Sequence, residues 1–342
     1  DAGHDRGLTG RSLMDAVDAL LEIAGLLERE RASRYRAKAF RQAASVLAGL
    51  PELIVRDPSR LREQKGIGSS TFEVIRQAQE GRVPDYLVEL RGVVEPEVAS
   101  ALRALLRGDL HSHTDWSDGT TPIETMVRAA RDLGHQYLAI TDHSPRLRVA
   151  RGLSAERLRE QMPLVRAQSG TGLTVLAGIE VDILDDGGLD QHPDLLADLD
   201  IVVASVHSKL RMDAAPMTRR MIAAVSDPHV NVLGHCTGRL VQGERGTRPA
   251  SEFDARAVFA ACAENGVAVE INSRPERQDP PDDLIGIALE EGCLFAIDSD
   301  AHAPGQLSLL DHGAARAEAA GVPAERIVTT WGADRLRAWA GD

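Results

Sequence analysis

Residues 108–144 read GDLHSHTDWSDGTTPIETMVRAARDLGHQYLAITDHS. A short apolar run ends in His111-Ser-His113. A stretch with apolar residues at helical spacing follows, and a second apolar run ends in Asp142-His143. This pattern predicts strand, helix, strand. The rhythm then repeats to the end of the chain. Candidate strands are DLHSH (109–113), YLAITD (137–142), TVLAGIE (174–180), IVVASVH (201–207), NVLGH ending at His235, VAVEIN (267–272) and LFAIDSD (294–300). Helix-like segments such as SAERLREQMPLVRAQ and EFDARAVFAACAENG lie between them. Seven such alternations predict an α/β class with a parallel sheet closing into a barrel.

Upstream of residue 108 no strand signal appears. Residues 13–31 and 33–49 carry apolar residues at helical spacing, with Ser33 a candidate cap. LREQKGIGSSTFEVIRQAQEG then reads as helix, Gly66-Ile67-Gly68 turn, helix. The expected organisation is a disordered start (1–12), an all-helical domain with linker (13–107) and the barrel (108–342). Residues 1–107 hold 17 basic and 16 acidic residues, and the remainder 22 and 36, so the net charge of −13 belongs to the barrel. That acidity argues against nonspecific nucleic-acid binding over the whole surface. Bound divalent cations would offset part of it locally. The three cysteines, Cys236, Cys262 and Cys293, are odd in number and widely spaced, as expected of a reducing cytoplasm. No apolar run approaches the ~18 residues of a membrane span, and the polar N-terminus has no signal-peptide core.

The polar residues at the strand ends carry the chemistry. They are His111, His113 and Asp118 after the first strand, His143 after the second, Glu180 on the third, His207 on the fourth, His235 on the fifth, and Asp300 and His302 on the seventh. In a parallel barrel the strand C-termini share one face, so these six histidines and three carboxylates converge. Imidazole and carboxylate together suit zinc, manganese or iron. Nine ligands exceed the needs of one ion, so two or three divalent cations are expected, with a carboxylate such as Glu180 bridging. Such sites suit phosphate-ester cleavage by an activated water, with no protein nucleophile. Arg239 and Arg277 are candidate phosphate clamps, and Lys209 a weaker one. Asp142 is a candidate either to orient His143 or to stabilise a turn, and Asp182 and Asn272 are candidates to support ligands. His135, His192, His229 and His312 fall outside the pattern.

DLHSHTDWSDG, AITDHS, AGIEVDI, SVHS, LGHCTGR, VEINSRPERQD and DSDAH together resemble the successive motifs of the polymerase-and-histidinol-phosphatase (PHP) domain, in the form fused to bacterial family X DNA polymerases. The resemblance spans residues 108–342 and implies a distorted seven-stranded barrel with up to three ions. It implies one ion on His111, His113, Glu180 and Asp300, a second on Glu180, His207 and His235, and a third on Asp118, His143 and His302. Cys236 stands where a proline is common and Arg274 where an asparagine is common; neither is a ligand position.

Residues 13–92 resemble the helical N-terminal domain of the same polymerases. A helix-hairpin-helix of this kind holds a DNA backbone through main-chain N–H groups after its turn, which assigns Lys65, Gly66, Gly68 and Arg76 to DNA binding. Arg34, Arg36, Lys38 and Arg41 would add charge. The polymerase core is missing, and Val74 stands where lyase members carry a lysine. The expected function is a DNA-directed metal-dependent phosphoesterase (3′–5′ exonuclease, 3′-phosphatase or abasic-site endonuclease) without polymerase activity. The alternatives are a small-molecule phosphomonoesterase of the histidinol-phosphatase type and a non-catalytic DNA-binding scaffold.

Overall fold

The computed structural model describes residues 15–31, 33–94, 98–243 and 246–341; the expectation for residues 1–12 lies outside them. The chain divides into two compact units between residues 95 and 96. The first is helical: α1 (Ala16–Arg29), α2 (Arg34–Gly49), α3 (Glu52–Val55), α4 (Pro58–Arg62), α5 (Ser69–Gln79) and α6 (Asp85–Val93). The Asp15 carboxylate caps α1 by accepting the Val17 N–H at 2.7 Å. Ser33 precedes α2 without a side-chain cap bond. Leu20, Ile23, Leu27, Phe40, Leu47, Ile75 and Leu87 pack as the core, and Val74 is buried among them. Between α4 and α5, Gly66 takes φ +99°, which a side chain would resist, and Gly68 starts α5.

The second unit opens with α7 (Ala101–Leu105). Residues 98–105, within the stretch read as helical domain and linker, pack on the barrel. The Val98 N–H donates to Asp311 at 2.6 Å and the Ala101 N–H to Glu318 at 3.0 Å. Seven parallel strands follow in sequential order: β1 (Gly108–Asp109), β2 (Tyr137–Ile140), β3 (Thr174–Asp182), β4 (Ile201–Ser205), β5 (Val232–Leu233), β6 (Ala268–Asn272) and β7 (Leu294–Asp298). Helices α8 (Ile123–Asp132), α9 (Ala155–Arg166), α10 (Pro193–Ala197), α11 (Ala214–Val225), α12 (Ala255–Asn265), α13 (Asp282–Glu290), α14 (Leu310–Ala319) and α15 (Ala333–Ala340) complete the unit. β1 and β5 are shorter than their sequence patterns, so His111, His113 and His235 stand just past strand ends.

The ring closes between β7 and β1 without a full ladder. The His113 N–H donates to the Ala301 carbonyl (2.8 Å), and aspartates supply the rest. Asp298 accepts the Leu110 N–H at 2.9 Å, and Asp109 accepts the Ser299 N–H at 3.2 Å. Burial pushes Asp109 up to about 6 and Asp298 well above the carboxylate range.

Strand register decides what faces the barrel axis. Glu180 pairs with Val203, Val203 with Val232, and Val232 with Ala268. Period two then lines up 176-178-180-182, 201-203-205-207 and 268-270-272 on the inner face. The lower positions are apolar: Leu176, Ile201, Val203, Val232, Ala268 and Ala296 pack with Val328, Trp331 and Leu336 from the tail of the chain. The Tyr137 hydroxyl, at the start of β2, reaches the carbonyls of Val328 (3.3 Å) and Trp331 (3.1 Å). The floor is therefore filled, and the polar ends of the inner rows open only at the opposite rim.

Gly178 lies on the inner row of β3, where a Cβ would sit 2.6 Å from the Ile201 carbonyl oxygen. Gly178→Ala is expected to destabilise the barrel by about 1–3 kcal/mol. Gly286→Ala, in an open position on α13, is expected to stabilise it by about 0.4–1 kcal/mol. All three tryptophans lie in this unit, so urea unfolding followed by tryptophan fluorescence reads both effects.

Candidate metal centre

Glu180 stands at the centre of the rim. Its Oε2 lies 3.0 Å from His143 Nδ1, 3.2 Å from His111 Nε2 and 3.5 Å from His113 Nε2. Its Oε1 lies 2.8 Å from His235 Nε2 and 3.1 Å from His207 Nε2. One buried carboxylate thus faces five imidazoles delivered by four different strand exits. Asp300 approaches from β7, its Oδ1 3.4 Å from His113 Nε2 and 3.8 Å from His111 Nε2. To aim there its backbone takes φ +52°, a conformation aspartate tolerates better than most residues. Asp118 faces His302 Nε2 (3.3 Å) and His143 Nε2 (3.4 Å). The His113 ring stacks between those of His302 and His143, with centroids 4.2 and 4.5 Å apart.

All nine residues singled out in the sequence therefore meet at one rim. Their donor atoms fall into four groups, each with atoms within 4.8 Å of one another: His113/Asp118/His143/His302, His111/Glu180/His235, His111/His113/Asp300 and His143/Glu180/His207. The donor set suits divalent cations on a further ground. His111 Nε2, His113 Nε2, His143 Nδ1 and Glu180 Oε2 are all buried, all mutually close and all without a hydrogen-bond partner. Buried polar atoms are rarely left so, and a cation among them would satisfy all four at once.

Behind the ligands lies a layer that fixes their rings. Glu270 accepts from His111 Nδ1 at 2.5 Å and from the His235 N–H at 2.6 Å. Asp182 pairs with His207 Nδ1, and the Asp300 carbonyl lies 2.9 Å from His302 Nδ1. Asn272 donates to Glu270 (3.1 Å) and to Asp300 (3.2 Å). Glu270 lies inside a candidate strand rather than at its end, so the strand-end pattern does not single it out; period two on VAVEIN places it in the inner row beside Asn272. Asp142 does not touch His143. It accepts from the Thr114 N–H (2.8 Å), Thr114 Oγ1 (2.6 Å), Ser117 Oγ (2.5 Å) and Gln161 Nε2 (2.5 Å), and so stabilises the turn that carries Asp118.

The electrostatics follow from packing. Burial alone would raise Glu180, but the imidazoles of His111, His207 and His143 hold it well below the carboxylate range. Burial would likewise lower His207, yet Glu180 and Asp182 raise it to about 9. Burial prevails at His143, which falls to about 3.

The candidate clamps are committed within the protein. Arg277 is buried with Nε 3.1 Å from Asp300 Oδ2, and Arg239 Nε donates to the Gln278 carbonyl at 2.8 Å. A substrate phosphate would compete with these bonds. Lys209 is exposed and pairs with Asp185. In the helical unit, Lys65 is exposed and Gly66 and Gly68 form the turn, while Arg76 is held between Glu73 (2.6 Å) and Glu80. Arg41 is paired with Glu28 and Arg36 lies on the Tyr86 hydroxyl, while Arg34 and Lys38 on α2 are exposed.

Both units resemble known protein families. The PHP domain matches residues 109–274 and a helix-hairpin-helix domain matches residues 14–82. DNA polymerase/3′-5′ exonuclease PolX of Bacillus subtilis (strain 168) is 39% identical over 199 residues, 58% of this chain and 34% of that protein. The chain thus spans about a third of that relative's length. A probable phosphatase of Shewanella sp. (strain MR-4) is 30% identical over 230 residues, 64% of this chain and 86% of the relative. Another, from Thermoanaerobacter sp. (strain X514), is 28% identical over 233 residues, covering 65% and 89%. A crystal structure of histidinol phosphate phosphatase from Lactococcus lactis, complexed with zinc, L-histidinol and phosphate, covers 63% of this chain and 94% of its own at 17% identity and a TM-score of 0.45.

Two outcomes are expected. Glu270→Gln and Asp182→Asn should each weaken divalent-cation affinity about 10–100-fold, measured by chelator competition, because His111 and His207 lose the groups that orient them. Cation uptake by the metal-free protein should release protons and weaken as pH falls from 9 towards 6, because a ligating histidine must be neutral while Glu180 and Asp182 favour the protonated His207. Calorimetry in two buffers of different ionisation enthalpy measures that release.

Proposed function

The chain belongs to the PHP-domain family of metal-dependent phosphoesterases, with a helix-hairpin-helix domain ahead of the barrel, and from that premise we propose that it hydrolyses phosphate esters of DNA. The observation that carries the hydrolytic part is the set of five imidazoles around Glu180. Divalent cations held there, zinc or manganese by donor type and iron(II) as a further option, would polarise the phosphoryl group and activate water. His111, His113, Glu180 and Asp300 would hold one cation. Glu180, His207 and His235 would hold a second, and Asp118, His143 and His302 a third. Glu270, Asp182 and the Asp300 carbonyl keep the imidazoles of His111, His207 and His302 turned inward. Arg277 keeps Asp300 in place. Histidine and carboxylate side chains fill the rim, and no serine or cysteine nucleophile is required.

DNA as the substrate is supported by the helix-hairpin-helix match and by the likeness to the Bacillus subtilis exonuclease-polymerase over 58% of this chain. In that role the Gly66–Gly68 turn and Lys65 would contact a backbone phosphate, with Arg76 contributing less because of its glutamate partners. A 3′–5′ exonuclease, 3′-phosphatase or abasic-site endonuclease acting in repair fits this reading, and the three buried, unpaired cysteines suit a cytoplasmic setting. No described helix is long and apolar enough to cross a membrane. A second reading, a small-molecule phosphomonoesterase, is favoured by the coverage of the phosphatase relatives, which reaches 86–89% of their length.

The deciding assay uses 3′- and 5′-labelled duplexes with a nick, gap or abasic site, with Mn²⁺ or Zn²⁺ added. Metal-dependent products are expected, falling to background in Asp300→Ala and Glu180→Gln. Intact DNA together with rapid release of phosphate from small monoesters would replace the DNA reading with the second one.

A further inference from the structure

Residues 144–152 leave His143 at the end of β2 and form a closed, braced projection. The Leu153 N–H donates back to the His143 carbonyl at 2.7 Å, and the Gly152 N–H to the Leu147 carbonyl at 3.2 Å. A Cβ on Gly152 would fall 1.7 Å from the Ser144 carbonyl oxygen, so the two ends of the loop are in close contact. The Asp190 carboxylate pins the base, accepting from Ser144 Oγ (2.9 Å) and the Arg146 N–H (2.6 Å). Arg151 donates to the carbonyls of Ser117 (2.9 Å) and Asp115, and Arg157 to that of Trp116. The loop is thereby tied to the segment carrying Asp118, which faces His143 across 3.4 Å.

On this rigid base the tip points into solvent. Val149 is 94% exposed, more than any other large hydrophobic residue described. A single bared valine means little by itself. Here it follows Arg146 and Arg148, both exposed; among the described residues neither guanidinium makes an ion pair or hydrogen bond, and the Asp185 carboxylate acts on Arg146 only at longer range. That contrasts with Arg151, Arg157, Arg239 and Arg277, each bonded to carbonyl or carboxylate oxygens. Two exposed guanidinia free of ion pairs and an apolar tip therefore stand on the metal-bearing rim of a barrel (residues 108–342) with a 14-charge acidic excess.

We propose that loop 144–152 holds a nucleic-acid strand at the metal centre, with Arg146 and Arg148 on backbone phosphates next to the scissile ester and Val149 wedged against the adjoining bases. The inference rests on the DNA reading above and names the element by which the barrel tells a polymer from a small ester. A lone phosphomonoester presents one phosphate, which the cations held by the rim residues would take. Only a polymer brings neighbouring phosphates and base faces to the loop.

The test compares the full chain with the variant Arg146→Gln/Arg148→Gln, with and without Val149→Ser. The pair Arg128→Gln/Arg159→Gln, on the outer helices, controls for charge. Binding of the metal-free chain to a fluorescein-labelled single strand is followed by anisotropy across a salt series. The slope of log affinity on log salt should fall by about 1.4 in the loop variant. With Mn²⁺, the ratio of kcat/KM for DNA to that for p-nitrophenyl phosphate should fall by about tenfold or more, and further when Val149→Ser is added. The control pair should move neither quantity. A slope and ratio that stay at the wild-type values overturn the inference and leave the DNA reading standing. A wild-type chain that hydrolyses p-nitrophenyl phosphate but leaves DNA intact removes the DNA reading, and the loop's role with it.

Discussion

A carboxylate with five imidazoles around it cannot be left dry and uncompensated. Glu180 is 1% exposed and its neighbours His111, His113 and His235 are 3% or less, so water cannot solvate the donor atoms that face one another there. A proton on His207 meets part of the demand, since Glu180 and Asp182 raise that imidazole, while burial drives His143 low. Protons cannot satisfy all of it, because a proton bridges two atoms whereas Glu180 Oε2 has three nitrogens around it. A divalent cation is the species that accepts several such lone pairs together. The need to hold cations follows from this burial, and the supporting shell of Glu270, Asp182 and Asn272 makes sense only around ligands that must not rotate.

The barrel meets this demand through register. Parallel strands bring their C-terminal ends to one rim, and the alternation of side chains sorts each inner row into an apolar lower part and a polar upper part. Val203 lies beside Glu180 in the ladder, and two and four residues further on Ser205 and His207 rise into the site. The tail of the chain, through Val328, Trp331 and Leu336, closes the other end. Seven strands leave a seam, and Asp109 and Asp298 complete it with side-chain acceptors where a ladder would have used carbonyls.

What could be read in the sequence follows from the same geometry. Strand-end histidines and carboxylates are conspicuous because each follows an apolar run, so all nine candidate ligands are legible in the sequence. Glu270 escaped because it lies inside a run, where period two has to be applied residue by residue to tell inner from outer. The partner of Asp142 was open for a different reason: adjacency to His143 in sequence places the two side chains on opposite faces of an extended segment, and Asp142 turns to the Thr114–Ser117 turn instead. The commitments of Arg76, Arg239 and Arg277 were not legible. A charged residue in sequence carries no mark of whether a carboxylate or carbonyl has already engaged it, and Glu73 and Glu80 flank Arg76 only once the helix places them three and four residues away on one face. The break between units fell at residue 95 rather than 107 because Asp311 and Glu318, over 200 residues downstream, hold the intervening backbone.

Net charge misleads here in an instructive way. The barrel's formal excess of 14 acidic residues argues against a polyanionic substrate if all of it is taken as surface. Among the described residues ten of its 36 carboxylates are buried: Asp109, Asp142, Glu180, Asp182, Glu270, Glu276, Asp279, Asp298, Asp300 and Asp311. Only two of its 22 basic residues, Arg220 and Arg277, are buried with them. That leaves 26 acidic and 20 basic residues, an excess of six rather than 14. The buried carboxylates gather largely at the rim, where two or three divalent cations would neutralise them and add positive charge where a phosphate must arrive. With cations in place the rim would attract the anion that the residue count says the barrel should repel, and the exposed guanidinia of Arg146 and Arg148 would extend that attraction beyond the metal ligands.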